Sequence, residues 1–323
     1  MSDVVAQDDT PTLVLDPVTA VPASARVRRA NKPRPAAPGS EARGQDGAGA
    51  AVLGWSVAAV SVLALWLALN ALVLGALQER VAQARLYATF REQLALATAP
   101  LGPTVPGRPV ALLQSNAPGL RELVVVEGTS AGQTQLGPGH RRNTPLPGQP
   151  GVSVLYGRGA TFGAPFGQLA TLRTGDQLTL TTGQGRFGYR VDGVRRSGDL
   201  VPIPPPAGGA RLTLVSVEGQ GWRAGWAPTS TVYVDATLQG PAKLAASARP
   251  ASVGPSEQAM AGDTAAVVPL VLWLQALLLA GSALAWLFTR WGLWQTWVVG
   301  SPVVLALLWQ CTRSALQLLP NLL

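Results

Sequence analysis

Gln177-Leu178-Thr179-Leu180-Thr181 alternates polar and apolar side chains without a break, and Thr231-Val232-Tyr233-Val234-Asp235-Ala236 repeats the pattern. A period of two sends successive side chains to opposite faces, the mark of a strand with one buried face. The same texture holds across 109–238, where short apolar runs at 123–126, 152–156 and 211–217 are divided by Gly and Pro turns. Many short strands at close spacing predict a closed barrel or a sandwich. About 130 residues suffice for one independent core.

Outward from this all-β region the chain changes character. Residues 51–77 are apolar and uncharged, and roughly 20 such residues cross a bilayer core as a helix. The stretch is too long and too far from the start for an ordinary cleaved signal peptide. Arg26, Arg28, Arg29, Lys32 and Arg34 precede it with no acidic residue among them, which predicts a cytoplasmic N-terminus. Residues 1–50, rich in Pro, Ala and Gly, read as disordered. Residues 78–108 read as an amphipathic juxtamembrane helix or stalk carrying Glu79, Arg80, Arg85, Arg91 and Glu92, ended by Pro100, Pro103 and Pro106. Beyond the β-region, 239–266 is an Ala/Ser/Pro-rich linker. Residues 267–288 and 291–311 are two further apolar stretches, separated at Thr289-Arg290 and followed by a tail at 312–323. They predict a transmembrane hairpin, with several of its six tryptophans near the interfaces. One N-terminal and two C-terminal transmembrane helices would place the β-domain outside the plasma membrane, and the tail on the same side.

Composition excludes several function classes. Only 13% of residues are charged against 47% hydrophobic. The net charge of +8 is spread along the chain with no aromatic-interleaved basic patch, so no nucleic acid is expected as partner. Cys311 is the one cysteine and His140 the one histidine. Neither an intrachain disulfide nor a Cys/His metal site is expected, and no cofactor.

Several stretches of the β-region resemble the sortases, most closely the actinobacterial class E type. Leu123-Val124-Val125-Val126-Glu127-Gly128 is similar to an early family strand. Leu136-Gly137-Pro138-Gly139-His140 and Pro145-Leu146-Pro147-Gly148-Gln149-Pro150-Gly151 are similar to the family's GPGHY…PLPGxPGN stretch. Gly163-Ala164-Pro165-Phe166-Gly167-Gln168-Leu169, Leu172-Arg173-Thr174-Gly175-Asp176 and Arg211-Leu212-Thr213-Leu214-Val215-Ser216 follow in family order. The resemblance implies a closed, mostly eight-stranded β-barrel. It also implies a cell-envelope site where Cys, His and Arg cut a sorting signal of the LPxTG or LAxTG kind and pass the acyl group to an amine. All three places are changed here. The family His falls on Arg158, the Cys on Val217, and the Arg on or near Thr231.

Val217 offers no heteroatom for a covalent intermediate, and a guanidinium keeps its charge where a base must change it. Ser216 and Glu218 are expected on the opposite strand face from Val217. His140 reads as a structural loop histidine, Cys311 as a small apolar residue of a membrane span. Asp176, Asp192 and Asp199 read as turn residues, and 198–209 as a mobile loop. The candidate binding residues are Arg158 and Val217 together with Trp222 and Trp226, since amphipathic aromatics make good anchors. Arg158 is expected to hold a carboxylate. These features predict a non-catalytic, membrane-anchored module that binds an envelope protein or a sorting-signal-like peptide, with the C-terminal helices packing on another membrane protein. The alternatives are a divergent transpeptidase or peptidase with relocated catalytic groups, and a spacer whose function lies in the hairpin.

Overall fold

Leu178 and Leu180, the apolar half of the alternating run, are fully buried in β5 (Gln177–Thr182). Across one side Leu180 lies opposite Leu113 of β1 (Pro109–Ser115), across the other opposite Phe187 of β6 (Gly185–Arg196). The computed structural model describes residues 54, 57–58, 60–117, 120, 122–219, 228–244 and 249–323. The segment expected to be disordered, 1–50, lies outside them, as do Trp222 and Trp226. The elements below belong to one compact unit, Val57–Leu323.

The remaining strands are β2 (Leu123–Glu127), β3 (Gly139–His140), β4 (Gly151–Tyr156), β7 (Ala210–Glu218) and β8 (Ser230–Gln239). They close a barrel in the order β1-β2-β3-β4-β7-β8-β6-β5, so the expected all-β closed barrel is what forms. Pairs β2–β3 and β4–β7 are parallel and the others antiparallel. Closure leaves no strand edge unpaired. Leu113, Leu123, Val125, Leu155, Leu212, Leu214 and Val234 fill the interior. His140 hydrogen-bonds Glu127 Oε2 through Nδ1 at 3.0 Å and the Pro145 carbonyl through Nε2 at 2.9 Å, and it stands in strand β3 and not in the expected loop.

Tyr189 is fully buried in this core, and its hydroxyl accepts the Gly148 N–H at 2.7 Å. Burial pushes its phenol up from 10.0 to about 12, partly offset by that hydrogen bond. A group whose folded pKa is raised contributes stability that is present below its unfolded pKa and lost as pH climbs through the folded one. The protein is therefore expected to lose stability between pH 10 and pH 12 more steeply than its Tyr189→Phe variant. Chemical denaturation at each pH checks this, and parallel curves would refute it.

Helix α1 spans Val60–Ala95 and is long and apolar enough to cross a membrane. A π turn at Asn70–Leu74 interrupts it: the Gly75 N–H reaches back five residues to Asn70 O rather than four to Ala71 O. The Ala71 carbonyl accepts the N–H of Phe162 from a barrel loop at 3.0 Å. Further along α1, Gln83 is fastened to the barrel. Its Oε1 accepts the Val124 N–H at 2.7 Å, and its Nε2 donates to Leu136 O at 2.8 Å. Phe90 packs on Leu112 and Val124. After a one-turn α2 (Ala131–Thr134) and the barrel come α3 (Val267–Arg290) and α4 (Leu293–Gln317), packed against each other. The second helix that meets the length and apolarity needed to span is Thr264–Arg290, which includes α3. The stretch 291–311 lies mainly within α4, where Trp66 of α1 donates its indole N–H to Thr312 Oγ1 at 3.0 Å.

Candidate functional site

The loop after β4 and the ends of β7 and β8 meet at one place on the outside of the barrel. Val217 pairs directly with Thr231 in the β7–β8 register. Gly159 is pressed on the same strand end so closely that a Cβ there would stand 2.4 Å from Val217 O. Arg158, one residue earlier, belongs to that loop. The fold thus gathers Arg158, Val217 and Thr231, which the sequence holds up to 73 positions apart (231 − 158). Strand alternation sets the facing. Leu212 and Leu214 point into the core, while Val215 and Val217 join a separate outer cluster with Tyr156 and Leu322. Ser216 alternates with these, and its Oγ is buried with no hydrogen-bond partner among the described residues.

Arg158 does not stand in an open groove. Its side chain is fully buried, roofed in part by Leu323 of the tail. One terminal nitrogen donates to Thr161 Oγ1 at 2.9 Å and to Leu323 O at 3.4 Å, the other to Ala131 O at 3.2 Å. The guanidinium lies over the Phe162 ring at 4.8 Å, a cation–π contact. These acceptors are a threonine hydroxyl and two main-chain oxygens, and Nε has no hydrogen-bond partner among the described residues. Burial lowers its pKa to about 9, so at neutral pH it remains a buried cation. Such a charge is tolerated only where dipoles surround it.

Leu322 sits on Tyr156, Val215 and Val217. The Gly159 N–H donates to Leu322 O at 2.9 Å, and Thr161 Oγ1 donates to Leu323 O at 2.5 Å. Asn321 is fully buried, its Nδ2 donating to Thr129 O and Gln258 O, both at 2.7 Å. Beside this seat the outer face of β4, β7 and β8 stays open as a cleft of about 460 Å³, lined by Arg141, Tyr156, Arg195, Val215, Tyr233 and Gln258 among others. Arg195 donates to Asp235 at 2.6 Å and stacks over Tyr233 at 4.1 Å. Burial pushes the Tyr156 phenol up, against the pull of Arg141. None of these lining residues was singled out from the sequence. Val215 and Tyr233 flank Val217 and Thr231 at a spacing of two on the same strand face, the one signal that pointed to them. The described groove face offers no Cys and no His.

Comparison with known proteins places this geometry. A sortase family profile matches residues 116–221. No curated protein matches the chain. Among solved structures, a sortase transpeptidase from Clostridium perfringens shares 20% identity over 50% of this chain and 99% of its own, with a TM-score of 0.42. Sortase E from Streptomyces avermitilis shares 26% over 42% of this chain and 91% of its own, with a TM-score of 0.35. A variant of that enzyme shares 30% with the same coverage and TM-score. The match places a sortase domain at residues 116–221, within the closed barrel.

Proposed function

We propose that this chain is a membrane-anchored, extracytoplasmic sortase-like module that binds a peptide or protein partner of the cell envelope without turning it over. One observation carries the reading. The three positions that correspond to the family's Cys, His and Arg converge in space, and they hold Val217, a buried Arg158 and Thr231. Acyl transfer needs a nucleophile and a group that accepts its proton; of these three residues Thr231 alone carries a hydroxyl, and neither Arg158 nor Val217 accepts a proton. Ser216 faces away from the outer cluster and Cys311 lies buried in α4, while the Thr213 hydroxyl on the cleft wall is buried and donates to Asp235, a carboxylate already held by Arg195. The open cleft beside Tyr156 and Tyr233 retains the aromatic and cationic lining that suits an extended segment with acidic or carbonyl oxygens. In the proposed arrangement α1 anchors the module with its N-terminus in the cytoplasm. The helices α3 and α4 form a spanning hairpin that is free to pack on another membrane protein.

The test is turnover by the full chain in detergent against fluorescent LPxTG and LAxTG peptides, alongside photo-crosslinking from Tyr233 in membranes. The expected result is no cleavage above the buffer rate, with crosslinks to an envelope protein. Cleavage would overturn the non-catalytic reading, and an absence of any crosslinked partner would overturn binding at the cleft.

A further inference from the structure

The seat over Val217 is filled by residues that arrive by an indirect route. After β8 the chain passes through the linker and the α3–α4 hairpin, and then returns to the barrel at Asn321–Leu323. What receives it there is mostly main-chain recognition from one loop. The Gly159 and Thr161 N–H groups, Thr161 Oγ1 and the Arg158 guanidinium direct four donors at two carbonyl oxygens, Leu322 O and Leu323 O. One apolar side chain, Leu322, fully buried, fills the space above Val217. On the far side the Asn321 N–H donates to Ala261 O at 2.9 Å, and its amide spans Thr129 O and Gln258 O. Backbone donors plus one side-chain pocket is how a fold holds a short peptide.

We infer that the site formed by Gly159, Thr161, Arg158 and Val217 is a peptide-binding site, and that its resident ligand is this chain's own Asn321–Leu323 segment. The inference rests on the proposed reading of the groove as a binding surface. It adds the ligand class, a short apolar segment with Leu above Val217 and Asn before it, and it adds a gate. A partner that reaches past the open cleft toward Val217 must displace the tail. A short tether holds its ligand at roughly millimolar effective concentration, so an outside peptide of the same kind competes poorly until the tail leaves. Because α4 leads directly into the tail, movement of the hairpin would set how often the seat is vacant.

Two measurements on the full chain in detergent decide this. In the first, Val217→Cys and Leu322→Cys are combined with Cys311→Ala and oxidised mildly, and the 217–322 disulfide is read by mass spectrometry. Formation is expected in the folded protein. A folded protein in which the two thiols stay free overturns the inference. In the second, a fluorescein-labelled peptide with the sequence of residues 318–323 is titrated by anisotropy against the unmodified chain, a chain lacking 321–323, and the Leu322→Asp chain. Binding to either altered chain is expected to be at least about 10-fold tighter than to the unmodified one. A peptide carrying Asp in place of Leu322 is expected to bind neither. Equal affinity for all three chains, or none for any, overturns the tail as ligand while leaving the open cleft and its crosslinked partner standing. The two readings therefore fail separately.

Discussion

Arg158→Ala is expected to lower the stability of the folded chain by about 3 kcal/mol, a fall of several degrees in melting temperature. Arg158 is among the largest fully buried side chains of the described residues and ties three segments together. These are the α2 turn through Ala131, its own loop through Thr161, and the tail through Leu323. Alanine would leave a cavity beneath Phe162 and remove three hydrogen bonds, each worth about 0.5–1.5 kcal/mol, although Ala131 O keeps Thr134 Oγ1 and the Gln135 N–H, and Leu323 O keeps Thr161. Against these losses stands one gain, removal of a cation whose burial is unfavourable enough to lower its pKa to about 9. Arg158→Met separates the two effects. It retains most of the volume and removes the charge, and it is expected to fall between wild type and alanine. Thermal unfolding of the three proteins in one detergent checks the order. An alanine variant as stable as wild type would show that the interlock contributes nothing.

Gly159→Ala has the second-largest expected effect, and its cause is steric. The added Cβ would lie 2.4 Å from Val217 O, 3.0 Å from Ser216 Oγ and 3.1 Å from Val217 Cγ2. The nearest of these is backbone in a paired strand and cannot swing aside. The loop must lift from β7 instead, at a cost of about 1–3 kcal/mol, and the Gly159 N–H leaves Leu322 O. Gly188→Ala is the control, because a Cβ there meets nothing within 4 Å. Unfolding should separate the two variants. Hydrogen exchange should show lost protection at 159–161 in Gly159→Ala alone. Equal stability of the two variants would mean that the loop has slack the packing does not show.

Much of the fold was legible in the sequence because its signals are local. The run at 177–182 alternates because one face of β5 packs on the core, and the structure buries Leu178 and Leu180 as that pattern requires. The family-like stretches from 123 to 216 pointed to a closed barrel, and the barrel closes. Legibility weakened where two faces are covered. In β7 both Leu214 and Val215 are buried, since the tail lies on the outer face, so 211–217 read as an apolar run and not as an alternation. Past Gln78 the chain was read as an amphipathic helix or stalk over 78–108, and helix α1 runs through that point without a break to Ala95, because i to i−4 hydrogen bonds form regardless of side-chain polarity.

The candidate site divides along the same line. By itself the sequence determined the chemistry of the residues it singled out: Val217 carries no heteroatom in its side chain, and Arg158 carries a guanidinium. Both follow from residue identity and need no coordinates. Only the tertiary structure decided what those residues do instead. It paired Val217 with Thr231, closed Arg158 beneath Phe162, and laid Leu322 over both strand and loop. Asn321, Leu322 and Leu323 form no periodic pattern and follow a hairpin far along the chain from the strand they cover. Their burial depends on contacts between residues 63 to 192 positions apart, which are set by the closed barrel and the return of α4, and no local signal encodes that meeting.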